Sequence, residues 1–115
     1  MATITDELMR EMLTKTKPYC VVILKSGPKW SGRDDQKIIW EQGRRNFELR
    51  AEGKLSIVCP TTGESEVRGI GIFNTDPEET KRIMENDPGV MAGIFVFELY
   101  PCRSFPGDTL PSQSK

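Results

Sequence analysis

The period of apolar positions changes several times along the chain, and each change predicts an element. Leu8, Met9, Met12 and Leu13 fall on one stripe of a short amphipathic helix over residues 5–15, with Thr5 as its cap and Asp6 and Glu7 in its first turn. Tyr19 to Lys25 is apolar at nearly every position, the pattern of a strand covered on both faces. Gly and Pro then mark a loop over 26–32, and residues 34–52 read as a helix stopped by Gly53. Leu55–Cys59 and Val67–Asn74 are two strands close enough in sequence to pair as a hairpin. Asp76, Pro77 and Glu79 form a helix start, with an N-cap, a proline at the first helical position and a glutamate three residues on. Asp87-Pro88 begins another turn, and Ile94–Tyr100 is the last strand.

The order β-α-β-β-α-β predicts an α+β domain with an antiparallel sheet, strand order 4-1-3-2, and both helices on one face. Val21 and Ile23 point to one side of the first strand and Val22 and Leu24 to the other, so neither sheet face is polar enough for water. A domain of this size would cover its second face with a copy of itself, which predicts a homodimer through the sheet. The segments expected are an N-terminal helical extension over 1–17, a domain over 18–103 and an extended tail over 104–115.

Composition narrows the chemistry. A net charge of −1, with no basic stripe interleaved with aromatics, argues against nucleic acid as a partner. No apolar run approaches a membrane span, and the acids among residues 1–15 do not suit a signal peptide, so a cytoplasmic location is expected. Cys20, Cys59 and Cys102 are dispersed, without the spacing of a zinc or redox motif, and neither a metal nor a cofactor is expected. The chain has no histidine, and so lacks the side chain that most often moves protons at neutral pH.

Several positions break the pattern of a plain core. The inward stripe of the long helix should include positions 42 and 45 or 46, and Gln42 and Asn46 are amides; alternatively the helix is turned so that Phe47 points inward. Gly69 and Gly71 share one face of the third strand, leaving either room for a ligand or close packing. Arg68, which alternation places on the opposite face with Ile70 and Ile72, either anchors an anion through its planar fork or pairs with Glu64 or Glu66. Asp87 either caps the following turn or serves as a base at the mouth of a pocket. Glu98, a lone acid in the last strand, needs a partner or an open edge. Trp30 and Trp40 could line a cavity for cofactor-free oxidation of an aromatic substrate, or Trp30 could simply cover a small core. In the expected strand order Cys20 and Cys102 lie near each other.

The runs Tyr19 to Trp30 (YCVVILKSGPKW), Ala51 to Leu55, Val67 to Phe73 and Asp87 to Gly93, with Glu98 to Pro101 and Ser104 to Asp108, resemble the YciI-like (YCII-related) family over about residues 19–108. That resemblance implies a ferredoxin-like fold assembled as a dimeric α/β barrel, with a His-Asp pair performing acid–base chemistry on small organic molecules. The family's aspartate falls on Asp87. Its histidine, eleven residues before the glycine that ends the helix, falls on Gln42, and a second one before the proline of the last strand falls on Tyr100. Lys25, Arg68 and Glu98 match positions where the family often has the same residue.

Glutamine can hydrogen-bond but cannot take and return a proton. The expected function is therefore a small-molecule-binding homodimer with the family's acid–base catalysis impaired or absent. Gln42, Arg68, Gly69, Gly71, Glu98 and Tyr100 are the expected substrate contacts. The alternative is an isomerase- or lyase-type enzyme using Asp87 with Gln42, Tyr100 or Arg68 on a small, anionic or aromatic substrate.

Overall fold

A computed structural model describes residues 3–112; the outermost ends of the two terminal segments, residues 1–2 and 113–115, lie outside the described residues. The elements are α1 (Asp6–Leu13), β1 (Lys17–Ser26), α2 (Gln36–Ala51), β2 (Leu55–Pro60), β3 (Val67–Phe73), α3 (Pro77–Glu85), α4 (Pro88–Met91) and β4 (Phe95–Ser104). All strand pairs are antiparallel, in the order β2-β3-β1-β4. This is the α+β ferredoxin-like fold, in the strand order that the sequence predicts. No helix among the described residues is long and apolar enough to cross a membrane.

The local signals act as their chemistry requires. The Asp76 carboxylate accepts from Glu79 N at 2.8 Å, and Pro77 occupies the first turn of α3. The reciprocal half of a capping box is replaced by an ion pair, with Glu79 meeting Lys54 at 3.3 Å. Gly53 takes φ +80° just past α2, the left-handed conformation that suits glycine. Thr5 caps α1 by accepting from Leu8 N at 3.1 Å, yet α1 buries no residue and leaves Met9, Met12 and Leu13 exposed.

The core lies between the sheet and α2, α3 and α4. Cys20 and Val22 from β1, Phe73 from β3, Leu55 from β2 and Leu49 from α2 are buried there with Ile83 and Met84 from α3. Residues 105–110 run beside Tyr19, Ile57 and Ile72 on the opposite sheet face.

Two glycines make the packing testable. A Cβ on Gly27 would lie 2.5 Å from Gly93 O and 3.0 Å from Phe95 backbone atoms. That backbone is pinned, because Gly27 N donates to Ile94 O at 2.7 Å and Lys29 N to Gly93 O at 2.9 Å. Gly43, in mid-helix, has nothing within 4 Å of the same position. Gly27→Ala should therefore lower unfolding stability by about 1–3 kcal/mol, whereas Gly43→Ala should raise it by roughly 0.5–1 kcal/mol. Urea melts of both variants would check the pair, and equal effects would contradict the packing described.

Candidate functional site

α2 turns its amide rather than its aromatic inward. Gln42 is 8% exposed and Phe47 57%, so the alternative rotation with Phe47 in the core does not occur. Trp40, at 70% exposure, also lies on the outer side of α2 and lines no inner cavity. The inward polar position has a partner waiting. Gln42 Nε2 donates to Asp87 Oδ2 at 3.4 Å, joining the two positions that the sequence resemblance pairs.

Asp87 sits where α3 hands over to α4, with 1% of its surface exposed. As N-cap of α4, its Oδ2 accepts from Gly89 N at 2.9 Å and Val90 N at 3.1 Å. The capping role is thus present together with the Gln42 contact, both on one oxygen. Burial pushes the Asp87 carboxyl above its ordinary value, opposed by the Val90 and Gly89 amides, the Arg45 charge and the Gln42 bond.

Arg45 is a residue to which the sequence reasoning, which put position 45 or 46 on the inward stripe, gave no role. Its Nη1 donates to Ile83 O at 2.9 Å and stands 4.0 Å from Asp87 Oδ1, giving the buried acid a nearby cation. Its place three residues beyond Gln42, on the same helix face, was the signal available.

Below α2 and above β2 and β3 lies a cavity of about 90 Å³. Its walls include Val22, Leu24, Leu55, Val58 and Phe73, and its polar lining comprises Gln42, Asn46 and Arg68. Both glycines border it, for different reasons. A Cβ on Gly71 would press on Leu55 and Phe73 at 3.2 and 3.3 Å, so Gly71 permits close packing. One on Gly69 would make only ordinary contacts at 3.6 Å and beyond, so this glycine is not needed for packing.

Arg68 departs from the alternation expected of it. Leu24 pairs with Gly69 but Lys25 pairs with Val67, leaving Arg68 as the extra residue of a bulge, a device that re-aims a side chain. Its guanidinium stacks over Trp30 at 4.1 Å, and Nε donates to Ser26 Oγ at 2.8 Å. Trp30 in turn packs on Phe95, a buried residue on the helix side of the sheet. Glu66 pairs with Lys25 instead, at 3.6 Å, and among the described residues no carboxylate forms an ion pair with Arg68.

Glu98 and Tyr100 do not join this group. Strand alternation sends Phe97 and Leu99 toward the helices and Glu98 and Tyr100 to the other face, beside Ile23 and Val21. There Lys25 Nζ donates to Glu98 Oε2 at 2.9 Å and the Tyr100 hydroxyl to Glu98 Oε1 at 3.0 Å. The Lys25 bond, followed by that of Tyr100, holds the Glu98 carboxyl below its usual range, and the Glu98 bond raises both Lys25 and Tyr100. Tyr100 is thus placed across the sheet from Asp87 and within one subunit cannot act as its acid partner. All three cysteines are free. Cys102 pairs in register with Tyr19, next to Cys20, so their side chains leave opposite faces and are not aimed at each other.

No protein-family profile matches the chain, and neither does any curated protein. Among solved structures it is similar to the 5-chloro-2-hydroxyhydroquinone dehydrochlorinase TftG from Burkholderia phenoliruptrix AC1100, in complex with 2,5-dihydroxybenzoquinone. The two share 17% identity with a TM-score of 0.51, over 71% of this chain and 90% of that one. At that identity the likeness is one of fold.

Proposed function

We propose that this chain is a YciI-like, small-molecule-binding homodimer in which the acid–base catalysis implied by the sequence resemblance is impaired or absent. One observation carries the reading. The position where a proton carrier is expected holds Gln42, and the Asp87 oxygen it contacts already accepts from the Gly89 and Val90 amides. A carboxylate so engaged orients and caps; to abstract a substrate proton it would have to give up bonds that hold α4. The cavity remains, with apolar walls and three polar side chains, the composition of a small-molecule site.

The outer sheet face supports the dimer. Val21, Ile23, Ile57, Ile70, Ile72 and Val96 spread across all four strands, and the charges among them are already paired as Lys25–Glu98 and Lys25–Glu66. Such a face is costly to leave in water.

The test is turnover. Wild type and Asp87→Asn, incubated with a panel of small hydroxy acids, oxo acids and hydroxyquinones including 2,5-dihydroxybenzoquinone, should show no enzymatic conversion by NMR. Gln42→His, which returns a titratable ring beside Asp87, should create measurable proton exchange or turnover on at least one of them. Conversion by wild type that disappears in Asp87→Asn would overturn the reading in favour of an isomerase- or lyase-type enzyme.

A further inference from the structure

We infer that the cavity beneath α2 is built for a small carboxylic acid bearing a hydroxyl or amino donor, its carboxylate held by Arg68 and its donor by the Gln42 amide oxygen. The inference rests on the reading that this cavity binds a small molecule, and it supplies the ligand's charge and size.

Charge comes first. Arg68 lines the cavity, is partly buried and has no carboxylate partner among the described residues. Its Nε is committed to Ser26 and its plane is fixed on Trp30, which leaves the two terminal nitrogens to donate elsewhere. A guanidinium pre-set in this way loses little freedom on forming the two parallel bonds that a carboxylate offers. Nor does Asp87 neutralise it. Asp87 meets Gln42 and stands near Arg45, on the α2–α4 side. The bulge at Leu24/Lys25 has a consequence here: without that register shift, alternation would send Arg68 to the outer face beside Ile70.

The other polar groups fix the second end. Gln42 spends Nε2 on Asp87, a direction set by chemistry because an ionised carboxylate can only accept. Its Oε1 has no partner among the described residues, where no buried side-chain nitrogen or oxygen is left unpartnered, so this oxygen keeps some exposure, and Gln42 lines the cavity. The Asn46 amide lines the same space and likewise makes no side-chain bond among the described residues. An amide oxygen that needs a donor, opposite a cation that needs an anion, matches a hydroxy or amino acid better than a plain fatty acid.

Size follows from volume. A space of about 90 Å³ is smaller than the ~150 Å³ apolar cavity that admits benzene. It accommodates an acid of about two to four carbons.

The experiment is a 15N–1H NMR titration of the full chain with glycolate and L-lactate, using glycolamide and 1,2-propanediol as neutral counterparts. Glycolate and lactate should give saturable shifts at Gly69, Gly71 and the Gln42 side-chain amide, with the neutral pair at least tenfold weaker. Arg68→Gln should weaken the acids tenfold or more, as losing a charged hydrogen-bond partner does, and the backbone spectrum of that variant shows directly whether it folds. Asn46→Leu, at a half-exposed position, is a second variant that should weaken both acids. Should glycolamide bind as well as glycolate, or Arg68→Gln leave glycolate affinity unchanged, the acid assignment falls while small-molecule binding stands. If neither these probes nor a set of neutral fragments moves any cavity residue, both are overturned.

Discussion

Ile70→Asp should abolish the proposed homodimer and leave a monomer. Ile70 sits on the outer face of β3, flanked across the sheet by Ile23 of β1 and Cys59 of β2, and is 38% exposed in the single chain. Water therefore reaches the site in the monomer, where an aspartate costs little. In a sheet-to-sheet dimer the same carboxylate would be sealed between apolar surfaces with no cation of its own. Lys25 is already paired with Glu98 and Glu66. The penalty for an unpaired buried charge is several kcal/mol, and about 3 kcal/mol already weakens association more than a hundredfold. Light scattering after gel filtration should give twice the chain mass for wild type and the single mass for Ile70→Asp, with unchanged circular dichroism. Trp40→Asp, on the exposed side of α2, should remain dimeric. A wild type that is monomeric at high concentration, or an Ile70→Asp chain that still dimerises, would remove the sheet-face interface.

Much of the fold was legible because its signals are local. The all-apolar run of β1, the Asp76 cap and Gly53 each reflect a chemistry that acts within a few residues. The meeting of Gln42 with Asp87 was also anticipated, though only the sequence resemblance joined them; periodicity put position 42 on the inward stripe but left open a rotation that turns Phe47 inward. The structure decides between the two, because Gln42 finds a hydrogen-bond partner in Asp87 while Phe47 and Trp40 stay on the outer surface. Arg68 was misplaced for a different reason. A bulge is a property of two strands in register and leaves no mark on one strand's sequence, so strict alternation pointed Arg68 to the wrong face. Grouping Tyr100 and Glu98 with Asp87 ignored an alternation that was visible: Phe97 and Leu99 are the core-facing residues of β4, and their neighbours must face away. Arg45 was missed because a cation inside a helix face reads as solvated until the acid it approaches is located.

Asp87→Ala should destabilise the chain by about 2–4 kcal/mol. The change strands the Gly89 and Val90 amides, removes the cap of α4 and leaves Gln42 Nε2 without its acceptor. Losing a cap costs about 1 kcal/mol, and each stranded buried donor adds about 1–3 kcal/mol before relaxation. Asp87→Asn should cost far less. Its oxygen can still accept from both backbone amides, and a turned Gln42 amide can accept from its nitrogen. The pair also has a pH signature. Burial raises the Asp87 pKa above the ordinary 3.8, so between that value and the raised one the folded chain binds more protons than the unfolded chain. Asp87 therefore lends the most stability below the ordinary value, and that contribution is lost as pH rises through the raised one. Glu98 and Asp35, whose carboxyls are held low, impose the opposite trend and lose their contribution as pH falls. The informative quantity is thus the difference between wild type and Asp87→Asn, in which those shared contributions cancel. Urea melts from pH 3 upward should show that difference moving in favour of Asp87→Asn with rising pH and then levelling off. A flat difference would mean that the hydrogen bonds and Arg45 balance the burial of Asp87, and one that moves the other way that they outweigh it.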